Sequence, residues 1–463
     1  MLKVFSHYFP SYVLHQVIFD SLVLFIAVLL AAGMEIHGDV VDWRVIVPSA
    51  LLFTIAMILL NSVIGLYRIG GNQRGSVRAT VLRVLISISV SIPIAIGVFM
   101  LLPWNYFASE AVQLSVILLL GLVLLMRGVV NRNWASSMFA PRVLIIGTGM
   151  DAAAVERSMS QPVPSGMHVV GFYAPEGEDT LSVDPKRVVG SGNGLLQTAR
   201  QLKVNEVIVA VRERRGGVLP IRELLDCKLC GIRVMDLSSF FERVQGKVQV
   251  DSLKASWLIY GDGFRQSFAR TAVKRCFDLV ASTFLLILAL PVMTVTAVLI
   301  LLEDGAPIFY RQERVGRAGR VFHVIKFRSM RRDAEKDGKP RWATSGDDRT
   351  TRVGRIIRKS RIDELPQLFN VLVGDMSLVG PRPERPFFVD QLAREIPFYS
   401  VRHSVKPGVT GWAQVRYQYG ASVEDAVQKL QYDLYYVKNH TLVLDTLVLF
   451  ETVRVVLTGE GAH

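Results

Sequence analysis

Residues Leu279 to Leu302 read LVASTFLLILALPVMTVTAVLILL, an uncharged and mostly apolar run interrupted once, at Pro291. The run exceeds the ~20 residues that cross ~30 Å of hydrocarbon. Whether it crosses therefore decides on which side of a bilayer everything beyond Glu303 lies. Both flanks are basic, with Arg270, Lys274 and Arg275 before it and Arg311, Arg314 and Arg317 after it. Cationic flanks favour the same, cytoplasmic side. A proline removes one helical N–H and clashes with the preceding turn, so a bend at Pro291 is easily specified. A helix that enters, breaks and returns over 279–302 fits both facts, and a straight span is the alternative, since prolines also occur in ordinary membrane helices. Just upstream, Phe264, Phe268, Val273 and Phe277 alternate with Arg265, Arg270, Lys274 and Arg275. That pattern suits an amphipathic helix on an anionic surface, or a plain linker helix.

Working toward the N-terminus, four more apolar runs occupy 1–135: Val17 to Met34, Val45 to Tyr67, Val81 to Leu102 and a shorter one from Ala111 to Met126. The first is long, lacks a short basic start and is followed by further spans, so a cleaved signal peptide is not expected. Arg68, Arg74 and Arg78 lie between runs two and three, Arg83 stands at the start of run three on that side, and Arg127, Arg132 and Arg142 follow run four. Glu35, Asp39, Asp42 and Glu110 mark the other loops, opposed only by Arg44. This asymmetry places both ends of the four-helix region in the cytoplasm. Asp20 reads as an acid near the interface or as a functional intramembrane carboxylate.

Composition agrees. The 463 residues are 51% hydrophobic and only 20% charged, with a mean hydropathy of +0.34, which excludes a disordered chain and an ordinary soluble one. Three cysteines, Cys227, Cys230 and Cys276, exclude a disulfide scaffold. Cys227-x-x-Cys230 has no second pair at metal spacing, so these are ordinary helix thiols or, alternatively, a small metal or redox site. Between Gly305 and Ser360 stand 16 Lys and Arg against 6 Asp and Glu, a surplus of ten out of the net +13. Something anionic binds there or lies beneath, whether nucleic acid, acidic lipid or a nucleotide.

Over 141–262 the pattern changes to short β-branched runs, at Arg142 to Ile146, Val169 to Tyr173, Glu206 to Val211 and Ile232 to Met235, alternating with helical stretches. These predict a parallel, Rossmann-like α/β domain. Its first strand ends in Gly147-Thr148-Gly149-Met150-Asp151-Ala152, a turn on which a dinucleotide pyrophosphate can rest. The second strand ends without the acid that would hold a ribose, and Glu176 comes late. Nucleotide binding and a packing or regulatory role both stay open.

The remaining 264–463 carry the charged chemistry. Lys326-Phe327-Arg328-Ser329-Met330 is followed by Arg358, then Asp363-Glu364-Leu365-Pro366-Gln367, then Gly380-Pro381-Arg382-Pro383-Glu384. Ser360-Arg361-Ile362-Asp363 reads as a helix entry with a hydroxyl cap. Neighbouring helical side chains diverge by about 100°, so Asp363 and Glu364 are not one proton-sharing pair. One carboxylate can attack phosphorus while the other ligates a magnesium ion, and fixed cations stabilise a transferring phosphoryl group. A bare Asp-Glu at a helix start can equally be a dipole-matched cap. Gln312, Glu313 and Arg314 face either the phosphate pocket or the membrane. The glycines of Lys406-Pro407-Gly408-Val409-Thr410-Gly411-Trp412 let backbone approach a nucleotide or simply form a turn. His403, with no metal or catalytic partner nearby in sequence, reads as solvent-facing or packed. Tyr432 and Asp433 precede Leu442 to Val456, which reads as an amphipathic or surface helix broken by Asp445, Glu451 and Arg454.

Together, the bent helix, KFRSM, RxxxxDELPQLFNVLxGDMSLVGPRPE and KPGVTGWAQV resemble the bacterial sugar transferase family, the monotopic polyprenyl-phosphate phosphoglycosyltransferases, over about Thr271 to Val456. With the spans and α/β domain ahead of it, the chain resembles the long form. The resemblance implies that Asp363 is the nucleophile and Glu364 the magnesium ligand. It implies that Lys326, Arg358 and Arg382 contact phosphate or uridine, with Arg328 and Glu384 of the same motifs among the substrate-binding residues. It also implies a UDP-sugar donor, undecaprenyl phosphate as acceptor and Mg2+ as cofactor. The family often has Ser-Pro at the break, whereas this chain has Leu290-Pro291, which keeps the bend but removes a hydroxyl that could support it.

The expected protein is thus an α plus α/β membrane protein of the bacterial inner membrane. It has four transmembrane helices, a Rossmann-like domain and a mainly helical catalytic domain with a re-entrant helix on the cytoplasmic face. The layout also resembles membrane-bound nucleotide-sugar epimerases and dehydratases, but no tyrosine here has a lysine four positions later, so that chemistry is missing. A scaffold or regulator that has lost activity is opposed by the intact Asp363-Glu364 pair and its cations. Nucleic acid is not expected as a partner, because the basic segment lacks interleaved aromatics. A homodimer is compatible with the long form, without an interface signature in the sequence.

Overall fold

The structure is a computed structural model that describes residues 2–4, 7–9, 11–35, 43–67, 83, 85–87, 89–94, 97, 141–160, 167–177, 181–192, 194–211, 219–250, 264, 267–331, 349–417, 420 and 422–458. They form two compact units that part between Val244 and Gln245, apart from residues 4–7, which group with the second.

In the first unit, α1 (Ser11–Glu35) and α2 (Trp43–Ile64) match the first two apolar runs. They bury Val28, Ala50, Phe53 and Met57, while Phe19, Leu22, Leu51 and Ile55 are exposed. A wide apolar face left uncovered by protein fits a lipid surrounding. Over Ile46–Ile64, α2 is long and apolar enough to cross a membrane. Residues 85–87 and 89–94 of the third run are helical, and the fourth run, Ala111 to Met126, lies outside the described residues. Asp20 is buried and accepts a 2.8 Å hydrogen bond from Tyr67 Oη.

The α/β part is a five-stranded parallel sheet: β1 (Arg142–Ile146), β2 (His168–Ala174), β3 (Val188–Ser191), β4 (Glu206–Val209) and β5 (Arg233–Asp236), in the order 3-2-1-4-5. This is the strand order of doubly wound dinucleotide folds. Val143 and Ile145 pack into one apolar cluster and Leu144 and Ile146 into another. The central strand is therefore covered on both faces, which is why it reads as a continuous apolar run. The short edge strand β3 escaped the sequence reading because Val188-Val189-Gly190-Ser191 has no stretch of core residues. Cys227 lies inside the second cluster, and Cys230 is exposed at the end of helix Ile221–Leu229. These are placements of ordinary thiols.

The expected boundary at 262 is too late. Val248 and Val250 belong to the core of the second unit, and Trp412 Nε1 donates to Gly246 O at 2.7 Å. That unit opens with α7 (Phe268–Asp304), after α3 (Met150–Ser160), α4 (Leu195–Gln201), α5 (Ile221–Leu229) and α6 (Leu237–Gln245) of the first. The 37-residue α7 joins the amphipathic segment and the 279–302 run into one helix with Pro291 inside it. Ser267 caps it, its hydroxyl accepting from Arg270 N. Val280, Phe284, Ile287, Leu288, Val295 and Leu302 stay exposed along its length.

Next come the antiparallel hairpin β6 (Phe309–Val315) and β7 (Val321–Phe327), then α8 (Arg352–Lys359), a 3-10 turn at Ile362–Glu364 and α9 (Gln367–Val373). A two-strand parallel pair, β8 (Ser377–Val379) and β9 (Gly408–Thr410), brackets α10 (Pro386–Glu395). The chain closes with α11 (Trp412–Arg416), α12 (Val423–Asn439) and α13 (Leu442–Thr458). The surface-helix reading of Leu442 to Val456 is corrected: Leu444, Asp445 and Val448 of α13 are fully buried. Asp445 is an interior anchor that accepts from Lys274 Nζ and Tyr436 Oη, both at 2.7 Å, so its charge marks a buried partner and not a solvent face.

Candidate active site

Four elements converge on the Asp363-Glu364 pair. The β6–β7 hairpin supplies Lys326, and its outer edge is fixed by Asn370 of α9, whose amide accepts from Ile325 N and donates to His323 O. That pairing covers the open strand edge and orients Lys326. Phe327, next to Lys326 and on the opposite face, is buried with Met293, Ile300 and Ile357. The N-terminus of α8 is capped by Glu303, whose two oxygens accept from Arg352 N and Val353 N at 2.7 and 2.9 Å.

The helix entry expected at Ser360 is not formed. Ser360 ends α8, and its hydroxyl donates back to Ile356 O. Arg361 then takes a left-handed conformation, φ 59°, at a cost of about 1 kcal/mol for a residue with a Cβ. This reversal turns the chain into the 3-10 turn that carries Asp363 and Glu364, both nearly buried. The next helix starts only at Gln367.

Glu364 receives two cations on a single oxygen: Lys326 Nζ at 2.9 Å and Arg382 Nη2 at 2.8 Å both donate to Oε1. Arg361 Nη1 stands 3.9 Å from Oε2. Burial alone would raise the Glu364 pKa, but Arg382 and Lys326 outweigh it and hold the carboxyl well below its ordinary value. Asp363 makes no hydrogen bond or ion pair among the described residues. Burial, then the Glu364 charge, push it up to about 6, with Lys326, Arg382 and Arg358 opposing. Two adjacent carboxyls thus have divergent titration, the mark of divided roles. Burial also lowers the Lys326 pKa.

Arg382 is placed by its backbone. Gly380 N donates to Thr410 O and Gly408 N to Pro381 O. A Cβ at Gly380, Gly408 or Gly411 would collide with the facing backbone. The glycines of the KPGVTG segment are therefore turn and packing residues that lock it against the GPRPE loop. Arg402, which the sequence reading passed over, donates to Arg382 O at 2.9 Å and to Tyr399 Oη at 2.7 Å and pairs with the buried Asp433 at 2.8 Å. Burial pushes Asp433 up to about 6 against the pull of Arg402. No sequence spacing announces a pair 31 positions apart.

Arg314 and Gln312 point to this side of β6, Arg314 donating to Pro383 O at 3.0 Å and pairing with Glu384 at 3.4 Å. Glu313, on the opposite face, is exposed beside His323. Arg358 acts on Asp363 through its charge alone. Arg328 is buried and spent on the end of α7, donating to Asp304 O and Gly305 O. His403 is lowered to about 4 by burial and by Arg402, so it is neutral near pH 7. It lines a cleft of about 180 Å³ with Arg382, Arg402, Gly316, Val405 and Pro407.

Among the described residues no group of three or more His, Cys, Asp or Glu could cage a metal. Magnesium does not need one, because it keeps waters and substrate phosphates and takes one or two carboxylates. Glu364 Oε2, which takes neither Lys326 nor Arg382 and has Arg361 Nη1 at 3.9 Å, is the donor that fits such an ion.

A model of the bacterial sugar transferase family matches residues 269–459. The chain is 31% identical over 347 residues to the UDP-glucose:undecaprenyl-phosphate glucose-1-phosphate transferase of Xanthomonas campestris pv. campestris, covering 73% of this chain and 71% of that protein. It is 47% identical over 242 residues to the UDP-N-acetylgalactosamine-undecaprenyl-phosphate N-acetylgalactosaminephosphotransferase of Aeromonas hydrophila, covering 52% of this chain and 56% of that protein. With the UDP-glucose:undecaprenyl-phosphate glucose-1-phosphate transferase of Escherichia coli K12 it shares 33% identity over 308 residues, 64% of each chain. The chain thus spans only about half of the Aeromonas relative's length.

Proposed function

Because the chain belongs to the bacterial sugar transferase family, we propose that it transfers a sugar-1-phosphate from a UDP-sugar to undecaprenyl phosphate through an aspartyl intermediate. An Asp363 oxygen attacks the β-phosphorus, the phosphoanhydride bond to UMP breaks, and UMP departs with the bonding pair. An oxygen of undecaprenyl phosphate then attacks the same phosphorus. The Asp363–phosphorus bond breaks, the carboxylate is restored, and a lipid diphosphate sugar results. The first step conserves the anhydride energy in an acyl phosphate, so the second need not run uphill.

The observation that carries this reading is the division of labour within the pair. Glu364 is held ionised by Lys326 and Arg382, while the neighbouring Asp363 has no hydrogen bond or ion pair among the described residues. Arg382, Lys326 and Arg358 supply the fixed positive charge that a transferring phosphoryl group requires. Magnesium held through Glu364 would draw charge from the pyrophosphate.

The membrane part of the reading is that α7 enters and returns on one face, the inner face of the cytoplasmic membrane. Both of its ends are tied to the same globular unit: Lys274 and Asp278 bond Asp445 and Leu378 N at one end. Glu303 and Asp304 bond α8 and Arg328 at the other. A helix anchored at both ends to one water-facing body, with an exposed apolar middle, supports a bent entry over a crossing. Such a placement lets the nucleotide arrive from water and the lipid phosphate from the interface.

Release of UMP from a panel containing UDP-glucose and UDP-N-acetylgalactosamine, with and without magnesium, tests the reaction and selects the sugar. No UMP from any donor would refute it.

A further inference from the structure

We propose that Arg275, Lys406 and Arg317 form a second anion site that holds the phosphate of an anionic membrane phospholipid beside the entry of α7. The inference rests on the membrane reading of α7 given above. Gly374 ends α9 at φ +105°, and a Cβ built there would lie 3.3 Å from Arg275 Nη2 and 3.6 Å from Lys406 Nζ. The two cationic heads therefore flank one side-chain-free point. Arg275 also spends hydrogen bonds on Val371 O and Leu372 O at the end of α9, which fixes its guanidinium and leaves the charge in place.

Lys406 and Arg317 make no hydrogen bond or ion pair through their side chains among the described residues. Arg317 stands exposed in the hairpin turn that packs beside Tyr399–Ser404. Burial, then Arg275 and Arg317, press against the Lys406 charge, with Asp278 and Asp375 opposing. Asp278 is engaged with Leu378 N. Three cations gathered at one place, two of them held by no side-chain partner among the described residues, attract an anion.

The position selects the anion. Val373, next to Gly374, is 79% exposed. Leu279, one turn after Arg275 and on the same helix face, belongs to the exposed apolar surface of α7. A cluster at the edge of an apolar surface is where lipid phosphates lie and where basic side chains add attraction.

The full chain would be placed in vesicles of phosphatidylethanolamine with and without phosphatidylglycerol, extracted into a zwitterionic detergent, and its retained lipid weighed by mass spectrometry. The wild type should retain phosphatidylglycerol over phosphatidylethanolamine. Lys406→Gln and Arg317→Gln should each retain about fivefold less, and Lys406→Arg should retain it as the wild type does. Equal retention by wild type and Lys406→Gln would overturn the site. So would capture of added inorganic phosphate with no preference between the two lipids, because the ligand would then come from water. UMP release by the wild type, assayed alongside, keeps a failure here separate from a failure of the transferase reading.

Discussion

Each unit buries a glutamate whose close partners are two arginine or lysine side chains, and the two arrangements differ in how the carboxylate oxygens are shared. In the α/β unit, Glu206 gives one oxygen to Arg233 and the other to Arg243, at 2.9 and 2.8 Å. In the catalytic unit, Glu364 receives both Lys326 and Arg382 on one oxygen. The first arrangement is saturated and serves only to bring a charge inside. The second leaves the other oxygen with only Arg361 Nη1 at 3.9 Å and, among the described residues, the neighbouring Asp363 with no hydrogen bond or ion pair, so the pair stays open to a substrate. The glycine turns differ likewise. Around Gly147 the backbone is consumed internally, Gly147 N donating to Tyr173 O and Thr148 O accepting from Ser182 N. The turn thus keeps a dinucleotide-like outline, and likeness of fold does not by itself confer a site.

The largest expected effect breaks the unsaturated side. Asp363→Asn should lower UMP release by at least about 10³-fold, as loss of a nucleophile does, with thermal unfolding at pH 7 unchanged or raised. Arg382→Ala should cost about 10²–10³ in kcat, the scale of one preorganised donor, measured as initial UMP release at saturating donor. The pH profile sharpens the contrast. In the proposed mechanism Asp363 attacks as a carboxylate, and burial and Glu364 push its pKa up to about 6, so UMP release should rise about tenfold per pH unit below 6 and level off above it. Because that pKa is raised on folding, protonated Asp363 stabilises the fold below about pH 4, and this stabilisation is lost as pH climbs through 6. The smallest effect on catalysis belongs to the saturated side. Glu206→Ala strands the buried Arg243 and should destabilise the α/β unit by about 3 kcal/mol, seen by proteolysis of its sheet, while UMP release per folded molecule stays at the wild-type rate.

The sequence made legible what depends on order along the chain. Short apolar strands predicted the sheet because β1 is covered on both faces, and the ordered motifs placed Asp363, Glu364, Lys326 and Arg382 in one site. What stayed hidden depends on long-range burial. Ser360 resembles a cap, but the left-handed Arg361 shifts the next helix start to Gln367. Asp445 resembles a surface break, but Lys274, 171 positions away, satisfies it. Arg402 and Asp433 carry no recognisable spacing, yet they hold the Arg382 carbonyl.

The most direct test is to incubate the full chain with UDP-sugar in the absence of undecaprenyl phosphate and determine its intact mass. The account predicts a gain equal to one sugar phosphate, absent from Asp363→Asn and discharged when undecaprenyl phosphate is added. UMP release without any mass gain, or the same gain on Asp363→Asn, would contradict it.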